Sequence, residues 1–200
     1  MAGHSFGAEK FKKINEYCLD RNIEVVTFYA FSTENWKRSQ EEVTNIMDLF
    51  VDYLHEWLNM DDSKNMKVRF LGDRSALSPK AQELMAEVEE KSRKFKNQLN
   101  IAINYGARSE ICRAFELLKD KEKITEQDIT DALYTKGQPD VDLIIRTGGE
   151  KRLSNFLLWQ LAYTEFYFTD VLWPDFTEKD IDEAIDYFHG RDRRYGGIKE

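Results

Sequence analysis

Two hundred residues, 42% of them hydrophobic, suit one globular domain with a sizeable core, and a net charge of −8 disfavours nucleic acid as a partner. Three prolines and ten glycines leave little composition for linkers or low-complexity tails. Cys18 and Cys112 stand apart without metal-ligand spacing, and the sequence shows neither a signal peptide nor an apolar run of about 18 residues. A soluble, cytoplasmic chain is expected.

The chain from Phe6 to about Asp20 reads as a helix that Asn22 can close. Ile23 to Phe31 is nearly all apolar and predicts a strand covered on both faces. It runs into Ser32-Thr-Glu-Asn-Trp-Lys-Arg38, a polar cluster where an open α/β sheet places its ligand crevice. Trp36 would equally suit a core position. Ser39 with Glu42 opens a long helix to about Leu58. On it Val43, Ile46, Met47, Phe50, Leu54, Trp57 and Leu58 share one face, a spacing that signals core packing.

Met66 to Leu71 alternates as a strand, and Ser78-Pro79 starts a charged helix. Gln98 to Asn104 is the next strand, Arg108 to Leu118 the next helix, and Thr125 with Asp128 opens a short one. Val141 to Arg146 predicts a buried strand and Thr164 to Thr169 the last. Thr177 with Asp180 caps a final helix toward His189. Five strands alternating with helices predict an α/β domain with a largely parallel sheet.

After the Val141–Arg146 strand come Gly148 and Gly149, which permit a tight turn or close approach of a ligand. Arg146, Lys151 and Arg152 supply cations and Ser154 a hydroxyl, with an apolar segment of helical character beyond. Guanidinium forks, a hydroxyl and freed N–H groups at a strand end suit a diphosphate. On chemistry alone, an ordinary turn with surface charges fits these residues equally well. Arg191, Arg193 and Arg194 likewise read either as a solvated helix end or as a small anion site.

The segment Arg146 to Gln160 (Arg-Thr-Gly-Gly-Glu-x-Arg-x-Ser-Asn-Phe-Leu-Leu-Trp-Gln) resembles a signature of the cis-prenyltransferases, the undecaprenyl diphosphate synthase family. Phe31 to Arg38, Tyr163 to Pro174 and Arg193 to Gly197 are similar to further signatures of that family, in its order. The likeness runs from about Gly3 to Gly197.

This resemblance implies a single isoprenyl transferase domain over residues 1–200: an α/β fold, its largely parallel sheet flanked by helices, with an apolar tunnel. It implies condensation of isopentenyl diphosphate with an allylic diphosphate, farnesyl diphosphate being the expected primer, to give a cis-polyprenyl diphosphate. It also implies Mg²⁺, a homodimer and at most peripheral membrane contact through the lipid product.

Carried over residue by residue, Arg146, Arg152, Leu153 and Ser154 hold the isopentenyl diphosphate. Ser32, Thr33, Glu34, Trp36 and Arg38 belong to a substrate-contacting loop, and His4 lies near the leaving diphosphate. Glu165 is the metal carboxylate, and Arg194 with Gly196 and Gly197 forms a tail that reaches the partner subunit. The family gives Asn35 a catalytic part in proton removal. An amide is not a useful base at neutral pH, so Asn35 is expected to orient a water or a diphosphate oxygen. Phe50, Leu54 and Trp57 become candidates to limit product length.

Members of the family begin with a strand leading into an Asp-Gly-Asn-Gly-Arg-Trp loop, and nothing before Gly3 matches it. The domain is therefore expected to be truncated at its N-terminus, to keep five strands of six, and to turn over poorly or not at all. The alternative is a non-catalytic diphosphate-binding chain or a partner subunit of a prenyltransferase complex.

Overall fold

The computed structural model describes residues 2–60 and 66–191, with side chains from Glu9 onward. Helices α1 (Ala2–Asp20), α2 (Gln40–Leu58), α3 (Pro79–Ser92), α4 (Ala107–Leu118), α5 (Glu126–Ala132) and α6 (Glu178–His189) accompany five strands, strictly alternating with them only as far as α4. The strands are β1 (Val25–Ser32), β2 (Lys67–Leu71), β3 (Gln98–Tyr105), β4 (Leu143–Arg146) and β5 (Glu165–Phe168).

Local chemistry sets the helix boundaries. Beyond the end of α1, Asn22 takes φ +56°, a left-handed turn that asparagine tolerates. The Ser39 hydroxyl accepts from the Glu42 N–H at 3.3 Å, and the Ser78 hydroxyl accepts from Ala81 at 3.2 Å ahead of Pro79. Asp128 takes the Thr125 N–H at 2.9 Å, and Asp180 takes the Thr177 N–H at 2.7 Å.

All pairing is parallel, but among the described residues the strands form two sheets. One has the order β1-β3-β2, with Phe28 and Phe70 both opposite Ile101. The other joins β4 to β5, with Leu143 opposite Glu165 and Arg146 opposite Phe168.

The split explains where the burial expectations fail. β3 is buried at every residue, whereas β1 is only half-buried along most of its length and β4 at every residue. No main-chain hydrogen bond joins β1 to β4 among the described residues. The two strands instead line one cavity of about 1030 Å³, β1 along Val25–Ser32 and the β4 segment along Val141–Arg146.

Apolar side chains cover that cavity on both sides. Ile14, Cys18, Phe176 and Ile181 pack with Val26, Phe28 and Ile145. Tyr105, Leu157 and Leu161 pack with Tyr29, Val141 and Ile144. Alternation along β1 sends Phe28 and Tyr29 to opposite faces, so the layers lie on either side of the strand. The largest core lies beyond β1, where Leu54, Trp57, Phe70, Leu84, Met85, Leu99 and Ile101 fill the space between the three-stranded sheet, α2 and α3.

The segment after Ser154 departs from the helix expected there. Residues 154–163 form successive turns, with Ser154, Asn155 and Leu157 at φ +51°, +63° and +47°. A right-handed helix cannot pass through such residues.

Candidate functional site

The polar residues singled out in the sequence cluster where β1 and β4 end, at the rim of the large cavity. Ser32, Asn35, Arg38, Arg146, Arg152, Leu153 and Ser154 all line it. Parallel strands bring their carboxyl ends together, which is where open α/β sheets place ligands.

Arg146 closes β4 and donates to the Ser154 hydroxyl at 2.9 Å and to the carbonyl of Arg152. It has no carboxylate partner among the described residues. The other two cations at the rim are engaged: Arg38 donates to Glu42 at 2.8 Å, and Arg152 pairs with Glu150. Both pairs are exposed, so each contributes little and can open to an incoming anion.

Gly148 and Gly149, at φ +84° and +77°, make the turn that returns the chain from β4 toward Arg152. Their N–H groups are not free for a diphosphate, contrary to expectation. They donate to the carbonyls of Val171 and Thr169 at 2.8 and 2.9 Å. A side chain on Gly149 would meet the Asp170 carboxylate at 3.0 Å, so the glycine also permits close packing.

The loop after β1 is a short 3-10 turn over Thr33–Lys37. Asn35 Oδ1 accepts the Ser32 N–H at 2.8 Å, and among the described residues its Nδ2 group has no hydrogen-bond partner. The indole N–H of Trp36 donates to Asn104 at 2.7 Å while its ring packs edge-on against Phe31 at 5.0 Å. Trp36 is 38% exposed and lines neither the large cavity nor the core, so it is a surface residue beside the loop. Thr33 faces a second, smaller polar recess of about 360 Å³ with Asp73, Asn104, Ser109 and Arg113.

Glu34 accepts from Asn155 at 3.0 Å. Burial pushes its carboxyl up, but hydrogen bonds from Asn155, its own backbone, Thr33 and Ser32 outweigh that and hold it below the usual range.

Tyr29, on β1, stacks on Phe156 with ring centroids 4.4 Å apart and donates to the carbonyl of Tyr105 at 3.0 Å. Burial, with a smaller contribution from Glu34, raises its phenol to about 12, so it is a neutral wall of the cavity. Tyr29 and Asn155 were not singled out from the sequence. Asn155 was legible only as part of a motif, and Tyr29 only as one aromatic in an apolar strand.

Glu165 is not brought to this rim. It opens β5 opposite Leu143, three register steps from Arg146, or about 10 Å along the strand. There Arg191 donates to it at 3.3 Å. Among the described residues no group of three or more His, Cys, Asp or Glu could hold a metal ion. His4 has no described side chain, and Arg194, Gly196 and Gly197 lie outside the described residues.

On α2, Ile46, Leu49, Phe50 and Tyr53 reach the cavity wall. Leu54 and Trp57 do not. They are 0% and 3% exposed and pack in the core, so of the three expected tunnel residues only Phe50 lines the space.

Among the described residues no helix is long and apolar enough to cross a membrane.

The model of the prenyltransferase family described as undecaprenyl diphosphate synthase matches residues 1–196. An isoprenyl transferase of Fusobacterium nucleatum is 48% identical, over 98% of this chain and 86% of that protein. A ditrans,polycis-undecaprenyl-diphosphate synthase ((2E,6E)-farnesyl-diphosphate specific) of Buchnera aphidicola is 42% identical, over 98% and 82%. The crystal structure of lavandulyl diphosphate synthase from Lavandula x intermedia, in complex with dimethylallyl diphosphate, superposes with a TM-score of 0.91. It is 32% identical and covers 98% of this chain and 88% of that one.

Proposed function

The chain belongs to the undecaprenyl diphosphate synthase family of prenyltransferases, and from that premise we propose how its residues divide the work of condensing isopentenyl diphosphate with an allylic diphosphate. The name of the Buchnera relative favours farnesyl diphosphate as the allylic partner. One observation carries the assignment: Arg146, without an acidic partner among the described residues, meets Ser154 at the polar mouth of a large apolar cavity.

The diphosphate of isopentenyl diphosphate sits on Arg146, Arg152 and Ser154, since planar guanidinium groups match phosphate oxygens two at a time. Arg38 and Ser32 face the same mouth from the β1 side and serve the allylic diphosphate. The hydrocarbon tail occupies the cavity along Ile46, Leu49, Phe50 and Tyr53.

During the reaction the allylic diphosphate leaves with its bonding electron pair. The double bond of isopentenyl diphosphate attacks the developing cation, and loss of a proton to the departed diphosphate or to a water forms the new double bond. Apolar walls keep water from that cation. Asn35 offers its Nδ2, a donor that orients a diphosphate oxygen or a water and cannot itself take the proton.

Mg²⁺, when bound with the substrates, would supply counter-charge to the diphosphates. It commonly binds through one or two carboxylates plus substrate phosphates, without a protein cage. Glu165, beside Arg191 and away from Arg146, does not fit that role within one protomer. The family resemblance favours a homodimer that works in the cytoplasm.

Elongation of farnesyl diphosphate with labelled isopentenyl diphosphate and Mg²⁺ tests the reading, with sedimentation for the dimer. Polyprenyl products that disappear in Arg146→Ala support it and overturn the expectation of little or no turnover, whereas isopentenyl diphosphate binding that weakens in Arg146→Ala without products supports the diphosphate site alone. No binding of isopentenyl diphosphate by calorimetry overturns it.

A further inference from the structure

Asn155 ties together three segments that are far apart in sequence. Its carbonyl accepts the Ala107 N–H at 2.8 Å and its Oδ1 accepts the Arg108 N–H at 2.9 Å, so it caps the start of α4. Its Nδ2 donates to Glu34, in the loop after β1, at 3.0 Å. The fit is close: a side chain on Gly106 would meet Asn155 Nδ2 at 2.8 Å and the Thr33 hydroxyl at 2.7 Å. Asn155 holds φ +63° and Ser154, beside it, φ +51°. Left-handed non-glycine residues persist only where the surroundings over-determine them.

We propose that Asn155 is a positioning residue: clamped to α4 and Glu34, it holds Ser154 in the backbone conformation that meets Arg146, and it fixes the distance between the two loops that grip the diphosphates. The inference rests on the prenyl-transfer reading for its substrate, while the clamp itself is a property of the fold. Asn155 touches no reacting atom and acts through Ser154 and Glu34.

The decisive comparison uses four 200-residue chains: wild type, Asn155→Asp, Glu34→Gln and the double variant. Asn155→Asp keeps an oxygen for the α4 cap but sets a carboxylate against Glu34. Isopentenyl diphosphate is expected to bind about tenfold or more weakly to it, the size of a lost hydrogen bond to a charged group. In the double variant the carboxamide introduced at position 34 can donate to the carboxylate introduced at position 155, so affinity returns toward that of Glu34→Gln, the reference that carries any direct loss from changing the substrate-contacting loop. Hydrogen exchange over residues 32–38 and 153–157, without ligand, should follow the same pattern: faster in Asn155→Asp and slowed again in the double variant.

Binding by Asn155→Asp at the wild-type affinity overturns the proposal. So does a double variant no better than the single one, or affinities that merely track melting temperature across the four chains. A wild type that binds no isopentenyl diphosphate overturns the transferase reading instead, and the exchange pattern then decides on the clamp alone.

Discussion

Arg146 and Ser154 stand eight residues apart in the chain, and the guanidinium of one donates to the hydroxyl of the other at 2.9 Å. The contact exists because the Gly148–Gly149 turn reverses the chain after β4, and because Ser154 accepts a left-handed conformation. Together they present a fork and a hydroxyl to the same volume of solvent, at the mouth of a space lined largely by apolar side chains.

If that pair grips a diphosphate, Arg146→Ala should lower kcat/KM for isopentenyl diphosphate by about 10- to 100-fold, the range for a hydrogen bond to a charged group. Arg146→Lys keeps the charge but loses the fork and should recover only part of that loss. Steady-state kinetics with the isopentenyl substrate varied would check both, and full activity in the lysine variant would remove the bidentate role.

Much of this arrangement was legible in the chain. Ser78 before Pro79, Thr125 with Asp128 and Thr177 with Asp180 mark helix starts by local capping, which needs no tertiary information. The order of the five strands along the sequence followed from their β-branched and aromatic runs. What escaped depends on partners far away. The N–H groups of Gly148 and Gly149 are taken by Val171 and Thr169, residues that only β4–β5 pairing brings near. Helical periodicity in 154–160 yields to the contacts that Asn155 makes with α4 and Glu34. The apolar face of α2 could not show that Phe50 borders a cavity while Leu54, one turn on, fills the core.

That last division predicts different outcomes along one helix. Phe50→Ala and Tyr53→Ala enlarge the space beside the growing chain and should give longer products, read by mass spectrometry. Leu54→Ala and Trp57→Ala should leave product length unchanged. They should cost about 2–5 and about 3–5 kcal/mol of stability, measured by denaturant unfolding. Longer products from Leu54→Ala with none from Phe50→Ala or Tyr53→Ala would reverse the assignment.

The start of α5 should be sensitive to acid. The hydrogen bond from Lys121, then those from the Thr125 backbone and hydroxyl, hold the Asp128 carboxyl at about 2, below its ordinary 3.8. A carboxyl depressed on folding adds stability above its unfolded pKa, and that contribution is lost as pH falls through the folded value. Amide exchange in Glu126–Ala132 should therefore accelerate, relative to the intrinsic rate, between about pH 4 and about pH 2. Asp128→Asn should abolish that dependence, and an unchanged profile in the variant would assign the acid sensitivity elsewhere.

The divided sheet sets a gradient of protection. β3 pairs on both edges and is buried at every residue, so its amides should exchange only through global unfolding. β1 and β4 are each paired on one side and border the cavity on the other. Their slot-facing amides should exchange faster through local opening, although the residues around them are as apolar as those of β3. Filling the cavity should slow them, by mass action on the closed state. A saturating, non-hydrolysable allylic diphosphate analogue is therefore expected to protect β1 and β4 while leaving β3 unchanged. Equal protection of all three strands in the free protein would show that the slot is closed in solution. Protection of β3 alone on ligand binding would place the hydrocarbon tail outside the cavity.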